Sequence, residues 1–148
     1  SCMGLGMQLA LACDVRVVAA TARFAVPVAR LGLMVDHWTL ERLSRFWGEG
    51  AARHMVLTGT VLDADDAWRL GFAQQRGTLA DAQALAGRAT ALAPLTQAGS
   101  KVGFDAHHDD PAEVARYEAA FARAWASEDL SEGRLAFAER REPSFRGQ

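Results

Sequence analysis

Thiols, lysines and long apolar runs are all scarce in this chain. Its 148 residues include two cysteines and carry a formal net charge of −2, and Lys101 is the single lysine. Cys2 and Cys13 have no metal-ligand spacing, and two thiols do not make a disulfide scaffold. They lie in or beside an apolar helical run, so buried free thiols in a reducing compartment are expected. The mild acidity argues against nucleic-acid binding. No apolar run approaches transmembrane length, and the opening residues do not read as a signal peptide. Internal repeats and low-complexity linkers are absent as well. Arginine and alanine are abundant where lysine is not, and the expectation is a bacterial, cytoplasmic protein. The length suits one domain's worth of sequence with a real core.

What is present begins with Gly4-Leu5-Gly6-Met7-Gln8-Leu9-Ala10-Leu11-Ala12-Cys13-Asp14. Small residues lead into an apolar run with helical spacing. A glycine-rich helix entry leaves backbone N–H groups unshielded, and the helix dipole adds partial positive charge there. Such a terminus suits a developing negative charge, for example a thioester enolate oxygen. Taken alone this pattern is common, since many buried helices begin after glycine.

Val15 to Ala20 is a β-branched run that reads as a strand, and Thr21-Ala22-Arg23 as a turn. Phe24 to Val28 reads as a short extended piece, with Pro27 excluding a helix interior. Asp36-His37-Trp38-Thr39 precedes an amphipathic helix, Leu40 to Phe46, and a second helix runs from Ala51 to Leu57 and stops at Thr58-Gly59. Asp63 can cap the next helix, with Asp65 and Asp66 in its first turn and Gly71 at its stop. Leu79 to Ala93 reads as an alanine-rich helix closed by Pro94. Asp105 to Asp110 is the expected flexible stretch before Pro111 opens a helix. His107 and His108 with the neighbouring aspartates could ligate a metal, but a solvated loop is the reading preferred, and no metal is assigned.

The glycine segment, the segment Phe24 to Asp36, and the tail together resemble the crotonase (enoyl-CoA hydratase/isomerase) family. The tail, Ser127-Glu128-Asp129-Leu130-Ser131-Glu132-Gly133-Arg134-Leu135-Ala136-Phe137 followed by Glu139-Arg140-Arg141-Glu142-Pro143-Ser144-Phe145-Arg146-Gly147, is similar to the family's S-x-D-x-x-E-G-x-x-A-F-x-E-K-R-x-P-x-F-x-G. All three segments occur in family order and cover nearly the whole chain. The resemblance implies an α/β fold: the C-terminal part of a ββα spiral over residues 1–100, then a helical region over 101–148 that serves trimerisation and CoA contacts. Family chains are longer and begin with several ββα turns. This chain therefore looks like the C-terminal part of a full protein, without the loop that supplies a second oxyanion donor.

The resemblance also marks what the chain lacks chemically. Hydratases of the family hold one water between two glutamates. Gln8 stands at one of those positions and Val28 at the other. A glutamine hydrogen-bonds but takes no proton, and a valine does neither. Gly4 and Leu5 fall at the oxyanion-hole glycines, where the Leu5 N–H remains a donor while its side chain would narrow or redirect the site. Asp36 matches a working aspartate of some relatives, the proton-transfer residue of dienoyl-CoA isomerases and the nucleophile of aryl-CoA dehalogenases. Against that stands a structural role, capping the helix that begins near Thr39 or pairing with Arg42. If Val35 and Trp38 desolvate it, its pKa would be raised. His37 could act as a base near neutral pH, but adjacent loop residues point apart. Trp38 reads as a wall of the acyl pocket or as packing.

In the tail, Phe121, Phe137 and Arg140 match family positions that embrace the CoA adenine and 3′-phosphate. Packing is the preferred reading for Phe121, since Tyr117, Phe121 and Trp125 recur every four residues as an apolar interface stripe. The expected ligand is an acyl-CoA of fatty acyl-CoA metabolism, with no further cofactor, and the expected assembly is a homotrimer or a hexamer. The favoured function is acyl-CoA binding without efficient hydration. The alternatives are an isomerase, hydratase or hydrolase using Asp36, and a hydratase in name only. A truncated spiral exposes sheet edges and core surface, so the isolated chain is expected to fold poorly or aggregate. A soluble monomer with cooperative unfolding in a chromatography and denaturation experiment would contradict that.

Overall fold

A computed structural model describes residues 1–107 and 109–148. Backbone contacts divide the chain into two compact units, Ser1–Ala84 and Leu85–Gln148. The division falls within a helix, whereas a boundary at residue 100 would fall within the next one.

The first unit opens with β1 (Cys2–Met3) and α1 (Leu5–Ala12), followed by β2 (Val17–Val18) and β3 (Arg23–Ala25). A 3₁₀ turn (Val28–Leu31), α2 (His37–Trp47), α3 (Glu49–Thr58), β4 (Leu62–Asp63), α4 (Ala64–Arg69) and β5 (Gln75–Arg76) complete it. Strand β3 is central: it pairs parallel with β1, Cys2 opposite Phe24, and antiparallel with β4. Strands β2 and β5 form a separate parallel pair. The strands are far shorter than the runs Val15–Ala20 and Phe24–Val28 suggested. The β-branched run keeps only its centre in a ladder, and Pro27 starts a 3₁₀ turn at Val28 instead of continuing the extended piece.

Helix ends follow local chemistry. Asp63 caps α4 in a reciprocal capping box with Asp66. Helix α3 ends at Gly59, whose φ of 67° favours glycine and where a Cβ would lie 2.7 Å from Arg30 Nε.

The core of this unit joins α1 to the segments after it: Met7 and Leu11 pack with Phe24, Val26, Leu43, Trp47, Met55 and Phe72. Trp47 stacks on Phe72 at 4.3 Å and meets Phe24 edge-on at 5.3 Å. Arg16 is the buried cation of the unit. Its guanidinium donates to the carbonyls of Ala10 (3.1 Å), Cys13 (2.6 Å) and Phe72 (2.7 Å), and lies over the rings of Phe46 and Phe72. Burial lowers its pKa, yet those carbonyls at the end of α1 receive a cation where the helix dipole is negative. The thiols are less sheltered than expected: Cys2 is half-buried, and Cys13 is exposed just past the end of α1.

Helix α5 (Leu79–Thr90) spans the division between the units. It stops at Thr90, and Pro94 opens the following helix, since proline fits the first helical position, where an N–H has no acceptor. The second unit contains α6 (Pro94–Asp105), α7 (Pro111–Trp125) and α8 (Glu128–Glu139). Ser127 caps α8 through the Leu130 N–H. The last residues run back along α8. Asp129, buried, accepts from the Arg146 and Gly147 N–H groups at 2.7 and 2.9 Å, and Glu132 accepts both prongs of Arg141 and the Ser144 N–H. The Gln148 carbonyl meets the Glu128 N–H at 2.7 Å, at the entry to α8. The Phe145 ring packs over Gly133. His107 is described and His108 lies outside the described residues. Among the described residues no three of His, Cys, Asp or Glu are grouped to hold a metal, and no helix is long and apolar enough to cross a membrane.

Two outcomes follow from these contacts. Replacing Arg16 with Met keeps apolar bulk but strips three carbonyls of their donor, so chemical denaturation should show a loss of ~3 kcal/mol. A loss under half of that would mean that water replaces the guanidinium. Separately, the Arg141 hydrogen bonds hold the Glu132 carboxyl down at about 2, from an ordinary 4.5. The folded pKa lies below the unfolded one, so this attachment of the tail is complete above pH 4.5 and lost as pH falls toward about 2. Amide-exchange protection at Ser144 should drop across that window; protection unchanged at its lower end would contradict the assignment.

Candidate functional site

The residues singled out near the start of the chain converge in the first unit. Parallel pairing of β1 with β3 sets the entry of α1 beside the segment that leads to Val28, and the Gly4 N–H donates to the Ala25 carbonyl at 3.2 Å. Gly4 caps α1 with φ 50° and ψ −115°, a backbone state that L side chains rarely adopt. Among the described residues, apart from chain neighbours and the backbone of α1 itself, nothing comes within 4 Å of where a Cβ on Gly4 or Gly6 would stand. Leu5 and Gly6 occupy the first helical positions, where an N–H has no carbonyl one turn behind it inside the helix. The Leu5 side chain is 79 % exposed, so it does not fill space beside its own N–H from within the core.

One turn along α1, Gln8 reaches Asp36 and Thr39. Gln8 Nε2 lies 3.1 Å from Asp36 Oδ2 and 2.9 Å from Thr39 Oγ1. The Thr39 hydroxyl donates to the same Asp36 oxygen at 2.8 Å, and the Thr39 N–H donates to the other oxygen at 3.0 Å. Asp36 is thus the N-cap of α2, one of the two roles its sequence context allows, and the cap is reinforced by a residue of another helix. The expectation of a raised pKa is corrected. The Thr39 hydroxyl and amide hold the Asp36 carboxyl below its ordinary range, Gln8 adds to this, and the opposing desolvation is outweighed because the residue is exposed.

The remaining candidates lie elsewhere in the first unit or in the second. Val28 begins the 3₁₀ turn, half-buried against the apolar core, and carries no group that moves a proton. His37 is the first residue of α2 and exposed, while Asp36 turns to Thr39 and Gln8. Trp38 is 43 % exposed, with the Arg42 guanidinium over its ring at 5.2 Å. Arg42 Nε donates to the Leu11 carbonyl at 2.9 Å. Phe121 and Phe137 line an open groove of ≈ 1130 Å³ between α6, α7 and α8. Tyr117, Phe121 and Trp125 follow one another along α7 at ring separations of 6.2 and 5.6 Å and face the same groove. Arg140 ends α8 in a left-handed conformation, φ 57°, exposed, next to the anchored Arg141. Thr39 is the residue that sequence reasoning passed over. It is fully buried and polar, three residues after a capping aspartate, and that spacing was the available signal.

The family profile described as enoyl-CoA hydratase/isomerase matches residues 1–148. A probable enoyl-CoA hydratase of Mycobacterium leprae is 44 % identical over 148 residues, covering 98 % of this chain and 59 % of its own length. The mitochondrial Δ(3,5)-Δ(2,4)-dienoyl-CoA isomerase of Dictyostelium discoideum is 32 % identical over 157 residues, covering 99 % of this chain and 52 % of the isomerase. Among solved structures, an enoyl-CoA hydratase of Mycobacterium tuberculosis superposes with a TM-score of 0.88 at 31 % identity, over 99 % of this chain and 61 % of the hydratase. The chain therefore shares the α/β fold of those hydratases and spans about three-fifths of their length.

The electrostatic assignment is checked by titration. A carboxyl-carbon NMR titration should find Asp36 below the ordinary aspartate range, and Thr39→Val, which removes the largest cause, should move it upward. An Asp36 that titrates above the ordinary range would overturn it.

Proposed function

The chain belongs to the enoyl-CoA hydratase/isomerase family, and on that premise we propose that the whole protein binds an acyl-CoA thioester without efficiently hydrating it. The observation that carries this reading is the state of the two positions at which family hydratases hold glutamates. Gln8 takes no proton, and its amide nitrogen is turned toward Asp36 and Thr39. Val28 offers only apolar surface. A positioned general acid or base contributes roughly 10²–10⁴-fold, so loss at both positions removes most of the advantage of that mechanism.

Binding groups remain. The N–H groups of Leu5 and Gly6, at the positive end of α1, suit a thioester oxygen. Val28, Val35, Met34 and Trp38 give the acyl chain an apolar surround. For CoA itself, Phe137 and Arg140 supply an exposed ring and an exposed cation suited to an adenine face and a phosphate, with Phe121 a weaker candidate because it belongs to the aromatic stripe of α7. The protein needs no cofactor beyond the thioester, and its place is the bacterial cytoplasm. The α7 stripe is assigned to contacts within a homotrimer or hexamer.

Proton transfer by Asp36 is the competing reading, and the dienoyl-CoA isomerase relative is what favours it. A carboxyl held below its ordinary range is a poor acid at neutral pH, and both of its oxygens already accept hydrogen bonds. The test incubates the whole protein with short and long enoyl-CoAs in heavy-oxygen, deuterated water and reads product mass. Saturable acyl-CoA binding with no mass change is expected. Heavy oxygen in a 3-hydroxyacyl product would overturn the binder reading. Deuterium uptake or double-bond movement that disappears in Asp36→Asn would give the site to Asp36.

A further inference from the structure

Residues 141–148 form neither helix nor strand, and α8 holds them one contact after another. Glu132 takes both prongs of the Arg141 guanidinium, at 2.6 and 2.9 Å, and the Ser144 N–H at 2.8 Å. The Phe145 ring packs over Gly133. Nearer the helix entry, buried Asp129 takes the Arg146 N–H on one oxygen and the Gly147 N–H on the other. At the entry itself the Glu128 N–H donates to the Gln148 carbonyl. Most of these contacts grip backbone, while Arg141 and Phe145 supply side chains that an arbitrary segment would lack. Arg140 joins helix to segment and belongs to none of them. Among the described residues it is the one non-glycine residue at positive φ, 57°, where a Cβ crowds the following carbonyl.

Recognition is therefore complete without the connection, and the connection is the strained part. We propose that the face of α8 from Glu128 to Gly133 docks the segment 141–148 of a second copy of this chain, exchanged for its own about Arg140 as the hinge. The occupant is a second copy because the sequence that fits is this chain's own: Phe145 four residues after the bidentate Arg141, and Gly147 two further on. The chain's own segment has the advantage of a high effective concentration. A left-handed Arg140 works against that advantage, and an extended Arg140 that reaches a neighbour relieves the strain. Arg140→Gly removes the strain and retains the segment on its own helix. Arg140→Val does the reverse, because a β-branched residue resists positive φ more strongly.

The experiment immobilises the whole protein, truncated after Arg140, on a biosensor with no acyl-CoA present. An amidated peptide of residues 141–148 should bind it saturably, and the same peptide with Phe145→Ala at least about tenfold more weakly. Full-length protein in solution should then be captured through its tail, and free peptide should block the capture. Arg140→Val should be captured about tenfold better than Arg140→Gly, with the wild type between them. No binding of the peptide overturns the docking site. Peptide binding without capture of any full-length form means that the segment closes only on its own helix, which overturns the exchange. Capture that ignores the Arg140 variants, or persists under excess peptide, belongs to another surface and overturns it too. A second measurement avoids the truncation: amide exchange at Arg146 and Gly147 in dilute full-length protein should be fastest in Arg140→Val and slowest in Arg140→Gly. Equal rates in all three forms would remove Arg140 as the hinge.

Discussion

The Asp36 carboxylate, ionised at the first turn of α2, is the interaction on which the candidate site depends. One oxygen takes the Thr39 N–H and so starts the helix. The other takes the Thr39 hydroxyl and the Gln8 amide, and so ties α2 to α1. Helix α1 is itself held at both ends. Gly4 is bonded to the Ala25 carbonyl at its entry, and Arg16 gathers the carbonyls at its exit. The core side chains Met7 and Leu11 fill the space between. A helix fixed at entry, middle and exit presents its N-terminal N–H groups in one place, and an oxyanion site needs that rigidity.

For the proposed acyl-CoA-binding role, this constraint carries more than residue identity alone. A glutamine in place of a glutamate need not end catalysis, because it still orients water. Here its nitrogen is committed to a carboxylate that is itself committed to a helix cap. The fold is that of enoyl-CoA hydratases, and a fold carries many activities. In this chain a polar triangle binds its own members where a proton relay would need a group free to titrate near neutrality.

Many helix ends were legible because their signals are local. Gly59 ends α3, Asp63 caps α4 and Pro111 opens α7, each through chemistry contained within a few residues. The tail motif was legible as a pattern but not as a mechanism. Asp129 and Glu132 grip N–H groups twelve to eighteen residues away, which no local rule foretells. Arg16 is similar: the β-branched run around it names a strand, but not the carbonyls of α1 and of Phe72 that gather around its guanidinium. Asp36 shows the same limit inside the site. Its apolar neighbours in sequence suggested desolvation, but Trp38 points to solvent and Arg42, and the partner that matters lies on α1. Strand lengths were overread because β-branched composition persists beyond the few residues that find a ladder partner.

The most direct test of this account restores the missing acids and asks whether Asp36 still governs them. Crotonyl-CoA hydration would be measured for the whole protein carrying Gln8→Glu and Val28→Glu, with and without Asp36→Asn. A glutamate at position 8 would face Asp36 across about 3 Å, and two carboxylates that close cannot both ionise freely. The account predicts that the double variant stays within a few-fold of the wild-type rate and that adding Asp36→Asn raises it at least about tenfold. Brisk hydration by the double variant, unchanged by Asp36→Asn, would show that the Asp36 anchor does not control the chemistry of this site.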